Sequence, residues 1–255
     1  MIIDAHCHAG RSEGLTAPWT TRAPLGAYLR RARAAGIDRT VLMPIFPGDS
    51  RVANRAVARL VAADPRRRIG FAWVHPGRDA GDVAGLLDDA MARGLAGVKV
   101  HGHEGSPGRE VCEAAAERGL PVLVDVAGRA HTIDLFAGEY PGVTFIVAHL
   151  GSFADDWRAH QTVIDALQRH RNVFADTSGV RRFDYLVAAA RRSPDRLVFG
   201  SDGPWLHPGL ELAKVRLLGL PARTEAAVLG GTFAGILERR AARPRRRRRR
   251  APVAA

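Results

Sequence analysis

Short apolar runs recur along the chain, each ending on a polar residue and each followed by a stretch of helical spacing or by a helix-stopping glycine. The first run, Met1-Ile2-Ile3, leads directly into Asp4-Ala5-His6-Cys7-His8. Side chains alternate between the two faces of a strand, so Asp4, His6 and His8 are expected on one face, with Cys7 on the other, packed against a helix. Further strands are predicted at 40–44, 69–74, 97–101, 121–125, 143–149, 172–176 and 196–202. Helices are predicted at 25–35, 51–63, 81–93, 109–118 and 155–169, and over most of 208–242. Residues 9–24 show no sustained period and read as a long loop.

Eight buried-looking strands alternating with helices call for parallel pairing with right-handed crossovers. A closed (β/α)8 TIM barrel and an open doubly wound sheet both satisfy that pattern. The strand ends decide between them. His6, His8, Lys99, His101, Asp125, His149, Asp176 and Asp202 all fall where a strand runs into its following loop. In a closed barrel those ends meet at one mouth, whereas the outer strands of an open sheet stay apart. A chain of 255 residues with 46% hydrophobic content suits one such domain, taken as residues 1–242.

Composition changes the picture in two places. The formal charge is +12, but residues 243–255 carry seven arginines, so the basicity is largely a property of that tail. Its run of arginines flanked by prolines and alanines is the composition of a disordered segment, and non-specific contact with polyanions is its functional alternative. The two cysteines, Cys7 and Cys112, form no disulfide framework, and no apolar run approaches the length needed to cross a bilayer. With no leader-like N-terminal pattern, a cytoplasmic protein without membrane contact is expected.

His6 and His8 lie about 7 Å apart along one strand, close enough for both rings to reach a single cation. The alternative is a buried strand with hydrogen-bonded histidines, which costs several kcal/mol unless every polar group is paired.

The motifs Asp4-Ala5-His6-Cys7-His8, Gly97-Val98-Lys99-Val100-His101, Phe145-Ile146-Val147-Ala148-His149-Leu150-Gly151 and Phe199-Gly200-Ser201-Asp202-Gly203-Pro204 together resemble the amidohydrolase superfamily. Within it they are most similar to the amidohydrolase-2 branch of metal-dependent hydrolases and decarboxylases related to aminocarboxymuconate-semialdehyde decarboxylase. The resemblance covers about residues 1–240. It implies one divalent metal ion at the barrel mouth, zinc first, with His6 and His8 as ligands. Asp202 would be both a ligand and the general base that takes a proton from metal-bound water attacking an amide, ester or lactone carbonyl. His149 would bind that water or polarise the substrate.

The chain departs from the family at Asp125, where a histidine ligand is usual. Ligation by Asp125 would give two histidines and two carboxylates, a harder donor set that moves preference towards manganese or iron. Otherwise His6, His8 and Asp202 remain as a three-residue set.

Of the 38 basic residues only Lys99 and Lys214 are lysines, so the strand position of Lys99 points to a need for an amine, which can lose its proton when buried. Its expected role is to hold substrate or to balance Asp125 and Asp202, with His101 supporting it. Carbamylation, known in some branches of the superfamily, is the alternative.

Trp19, Trp157, Trp205 and His207 fall in loops that could form an aromatic wall at the mouth, Trp73 reads as core, and Asp176 reads either as a partner orienting a ligand or as a polar strand end. Arg11, Arg22, Arg78, Arg109, Arg129 and Arg181 are candidates for gripping a substrate carboxylate, although each also fits a solvated surface position. The partner expected is a small molecule, and a homodimer is left open. Three functions follow: a metal-dependent hydrolase, a decarboxylase using the same site, and a degenerate barrel that only binds.

Overall fold

The structure, a computed structural model, is described for residues 1–12, 22–23, 25–153 and 155–242. Strand β1 (Ile3–His8) is followed by a two-residue antiparallel ribbon, β2 (Gly10–Arg11) with β3 (Arg22–Ala23), inside the stretch expected to be loop. The remaining strands are β4 (Arg39–Met43), β5 (Arg68–Trp73), β6 (Gly97–His101), β7 (Val122–Asp125), β8 (Phe145–Val147), β9 (Val173–Asp176) and β10 (Leu197–Val198). β1 and β4 to β10 pair in parallel in sequence order. The ring closes where Ala5 N–H donates to Phe199 O at 2.9 Å and His8 N–H to Gly203 O at 2.6 Å. This is the expected (β/α)8 barrel.

The helices are α1 (Leu25–Ala34), α2 (Ser50–Ala62), α3 (Val83–Ala92), α4 (Arg109–Arg118), α5 (Ile133–Glu139), α6 (Trp157–Arg169), α7 (Phe183–Arg192), α8 (Pro208–Arg216), α9 (Ala222–Ala226) and α10 (Thr232–Ala242). Both strand faces are apolar because both are covered: one cluster fills the space between strands and helices, and a second fills the lumen. Phe233 and Ile236 of α10 belong to the lumen cluster, so the last helix plugs the end where the strands begin. Among the described residues no helix is long and apolar enough to cross a membrane. Cys7 and Cys112 are free and buried. The arginine tail and Trp19 lie outside the described residues.

One expectation fails at β1. Asp4 pairs with Thr40 and Cys7 with Leu42, so Ala5 and His6 together face Val41. This bulge inserts one residue and changes the phase of the alternation. Ile3 and Ala5 point into the lumen, Cys7 packs in the outer cluster with Tyr28, and Asp4 turns outward as well. Asp4 therefore does not share a face with His6 and His8. It is fully buried and accepts hydrogen bonds from the Tyr28 hydroxyl, from Ser201 through both N–H and hydroxyl, and from His6 N–H. Burial pushes its carboxyl up to about 6, against the opposing pull of those donors. It ties β1 to α1 and to the segment after β10.

Two predicted strands are shorter than expected. β8 ends at Val147, where the backbone turns left-handed at His149 (φ 56°) and Leu150 (φ 47°), and β10 ends at Val198, after which Phe199 N–H donates to Val228 O; Asp202 (φ 52°) is also left-handed. Helices α5 and α7 are not among the predicted elements: α5 is seven residues long with Gly138 inside it, which gives a weak signal, although Ile133 and Ala137 are buried, and α7 buries Leu186, Ala189 and Ala190.

Tyr28→Phe removes one donor from a buried carboxylate and is expected to lower stability by about 1–3 kcal/mol. Urea denaturation measures this, and an unchanged midpoint would contradict the role given to Asp4.

Candidate metal centre

The two histidines of β1 are held by their Nδ1 atoms. His8 Nδ1 lies 2.8 Å from the carbonyl oxygen of Pro44, which can only accept, so Nδ1 carries the proton. His6 Nδ1 lies 2.8 Å from Asp176 Oδ2. The carboxyl of Asp176 stays well below its usual range: burial opposes ionisation, but His6, His149 and Ser178 outweigh it. It is therefore an acceptor, and His6 Nδ1 is the donor. Both rings consequently present Nε2 to the lumen, and the two Nε2 atoms are 3.2 Å apart.

A third acceptor faces the same point. Asp202 Oδ1 lies 3.5 Å from His6 Nε2 and 3.4 Å from His8 Nε2. Burial raises the Asp202 carboxyl, but His8, His6 and His149 bring it below its ordinary value, so it is charged. Three acceptors around one point are a donor set for a cation. The two separations involving oxygen exceed a good hydrogen bond, yet atoms about 3.4 Å apart leave a point about 2 Å from each, the length of a zinc–nitrogen or zinc–oxygen bond. His6, His8 and Asp202 thus form a group that can hold a divalent ion.

A second grouping, His6, His149 and Asp176, is also close enough to hold an ion. Its atoms are already committed. Asp176 accepts from His6 Nδ1, His149 N–H, Ser178 N–H and the Ser178 hydroxyl, at 2.6 to 3.0 Å. This one carboxylate fixes the tautomer of His6 and pins the left-handed turn that aims His149, in the manner of the carboxylates behind metal-bound histidines. Gly200 makes the arrangement fit: a Cβ there would meet His6 Cβ at 3.1 Å and Asp176 Cβ at 3.3 Å.

His149 stacks on His6 with ring centroids 5.0 Å apart. Its Nδ1 faces Ser178 O at 3.0 Å and its Nε2 faces Asp125 Oδ2 at 3.5 Å. Burial works against a charged ring, but Asp125, Asp202 and Asp176 together raise its pKa to about 9. His6 moves the other way, to about 4, through burial and the charge of Lys99. Lys99 is fully buried, with Nζ 3.5 Å from His6 Nε2. Burial lowers its pKa despite Asp125, Asp176 and Asp202.

Asp125 and His101 sit opposite each other in the β6–β7 register, and His101 Nε2 lies 3.2 Å from Asp125 Oδ2. His101 thus supports Asp125. The Asp125 carboxylate, placed between His101 and His149, lies in neither of the two candidate groups. Burial opposes its ionisation, but the two histidines hold it well below the usual carboxylate range.

Aromatic rings line one side of this cluster. Trp205 lies 5.3 Å from His8 and Trp73 6.4 Å, while Phe46 lies 4.5 Å from His101. Trp73, expected as core, is fully buried and also donates from Nε1 to Glu104 at 2.6 Å. Trp157 opens α6, 48% exposed beneath the Arg158 guanidinium, and is not among the rings that contact the site histidines. His207 caps α8 by accepting from Gly209 N–H. Arg129 donates to Gly102 O and Arg78 to Ser50. Ser178 and Phe46 were missed from sequence; the pairing of Asp176 with a serine two residues on is the only signal that pointed to Ser178.

The amidohydrolase family model matches residues 3–234. The chain belongs to the amidohydrolase family. Similar folds include an amidohydrolase from Burkholderia multivorans with bound zinc (18% identity, TM-score 0.75, 93% of this chain and 99% of that one). A second is 5-carboxyvanillate decarboxylase LigW from Sphingomonas paucimobilis (18% identity, TM-score 0.70, 93% and 98%). A third is dihydroxybenzoic acid decarboxylase from Polaromonas with manganese and 2-nitroresorcinol (16% identity, TM-score 0.71, 93% and 96%). No curated protein sequence matches this amidohydrolase.

Removing either imidazole, by His6→Ala or His8→Ala, is expected to abolish tight zinc binding. Asp176→Asn, which weakens the hold on His6, is expected to lower affinity about 10–100-fold. Competition with a chromophoric chelator measures both, and wild-type affinity in all three would contradict the donor assignment.

Proposed function

We propose that this amidohydrolase is a metal-dependent hydrolase that adds water to an amide, ester or lactone carbonyl of a small, carboxylate-bearing substrate. The observation that carries this reading is the convergence of His6 Nε2, His8 Nε2 and Asp202 Oδ1 on one point, with His149 stacked on His6 beside it. His6, His8 and Asp202 would hold the ion, with Asp125 at the edge of the shell through His101 and His149. A divalent ion bound there lowers the pKa of a water and polarises a carbonyl. Zinc suits two imidazoles and one carboxylate, and manganese or iron becomes competitive if Asp125 joins them.

The chain's own groups supply the rest. Asp202 is ionised and has an oxygen facing the centre, so it accepts the proton that water loses on attack. His149 carries a proton on Nε2 and donates it, as a hydrogen bond or outright, to oxygen that gains charge. Lys99 places an amine 3.5 Å from His6 Nε2, and Trp205, Trp73 and Phe46 form an apolar wall that excludes water. Decarboxylation would use the same groups, with Asp202 returning its proton to carbon, so product analysis separates the two reactions.

The test is a screen of zinc- and manganese-loaded protein on lactones, esters, amides and unsaturated carboxylates in 18O-labelled water. One labelled oxygen per product is expected, with kcat reduced about 100–10,000-fold in Asp202→Asn and about 100–1,000-fold in His149→Asn. Carbon dioxide release without label would establish the decarboxylase instead. Asp125→His should retain or increase bound metal, and loss of metal there would show that Asp125 itself is required.

A further inference from the structure

One opening lies away from these histidines, at the end of the barrel where the strands begin. A cavity of about 740 Å³ is bordered there by Thr144, Asn172 and Arg196, the residues leading into β8, β9 and β10, and by one face of α10. Its size suits a small ligand. Gly231, Gly235 and Arg239 succeed one another at four-residue spacing along that face, so two glycines leave the space and an arginine bounds it. The Arg239 guanidinium folds back over the gap, with Nη1 3.4 Å from where a Gly235 Cβ would stand.

The charge of the cavity is unbalanced. Arg169 is paired with Asp134, and Arg196 with Asp195. Arg196 also donates to the carbonyl of Arg171 at 2.6 Å and lies over the Phe174 ring at 5.2 Å, which fixes its position at the cavity floor. Arg171 and Arg239 have no carboxylate partner among the described residues. The lining carries Arg169, Arg171, Arg196 and Arg239 against one carboxylate, Asp195. Unpaired guanidiniums around a cavity are a fork-shaped match for oxyanions.

We propose that this cavity is an anion site, separate from the metal centre, that takes a compact, multiply charged oxyanion of the oligophosphate class through Arg171 and Arg239, with the paired Arg196 beside them. Phosphate oxygens offer the highest negative charge for the volume, and each guanidinium can engage two of them. The alternative source of the same chemistry is a polycarboxylate, and the arginine run at 245–250 is a competing place for any polyanion to bind.

Calorimetric titration of the full chain with inorganic tripolyphosphate, and separately with citrate, tests the proposal. One tripolyphosphate per chain is expected, bound more tightly than citrate and weakened by salt. The double variant Arg171→Ala, Arg239→Ala should bind about 10-fold or more weakly, and Gly235→Met, which fills the space without altering charge, should weaken binding too. A full-length variant with the arginines at 245–250 changed to serine should bind as wild type does. Binding that is lost in the serine variant, or unchanged in the double variant, would overturn the site, and tighter binding of citrate would overturn the phosphate assignment.

Discussion

Three acceptors pointed at one another are the constraint on which the mouth of this barrel depends. His6 and His8 give up their Nδ1 protons to hydrogen bonds with Asp176 and Pro44, so their remaining nitrogens meet at 3.2 Å with an ionised Asp202 completing the triangle. Without a positive charge the arrangement is repulsive. Burial strengthens that repulsion because the low local dielectric leaves it unscreened. That triangle is the donor set on which the proposed cation site rests.

Holding it together requires departures from regular structure, and these are concentrated where the chemistry is. The β1 bulge separates the outward Asp4, which fastens three parts of the barrel, from the inward His6 and His8. His149 and Asp202 both occupy the left-handed region, which costs a non-glycine residue of order 1–3 kcal/mol. Asp176 offsets this at His149 by accepting its N–H while also holding His6 and Ser178. One buried carboxylate therefore couples the position of a metal-facing ring to the position of the cationic ring stacked on it.

The barrel was legible because eight apolar runs ended on polar residues that only closure could bring together. The His6–His8 pair was legible from two-residue spacing. The bulge was not, because alternation assumes an unbroken pleat and nothing in Asp4-Ala5-His6 shows where two residues will face one. The partnership of His101 with Asp125 depends on parallel register between β6 and β7, which pairs residues 24 positions apart and leaves no local trace. The same holds for Asp176: a polar residue at a strand end reveals its place on the mouth but not the four donors it collects. The basic cavity was hidden for a similar reason, since its arginines come from separate strand entries and from the last helix, within a chain rich in arginine throughout.

The central claim is that His6 and His8 present unprotonated Nε2 atoms to a common cation. Nitrogen-resolved NMR of histidine-labelled protein, titrated with zinc, measures this directly. The account predicts that both rings carry their proton on Nδ1 and that both Nε2 signals shift together, saturating at one zinc per chain, with the Nδ1 hydrogen bonds retained. A proton on Nε2 of either neutral ring, or zinc that binds without moving those two signals, would contradict it.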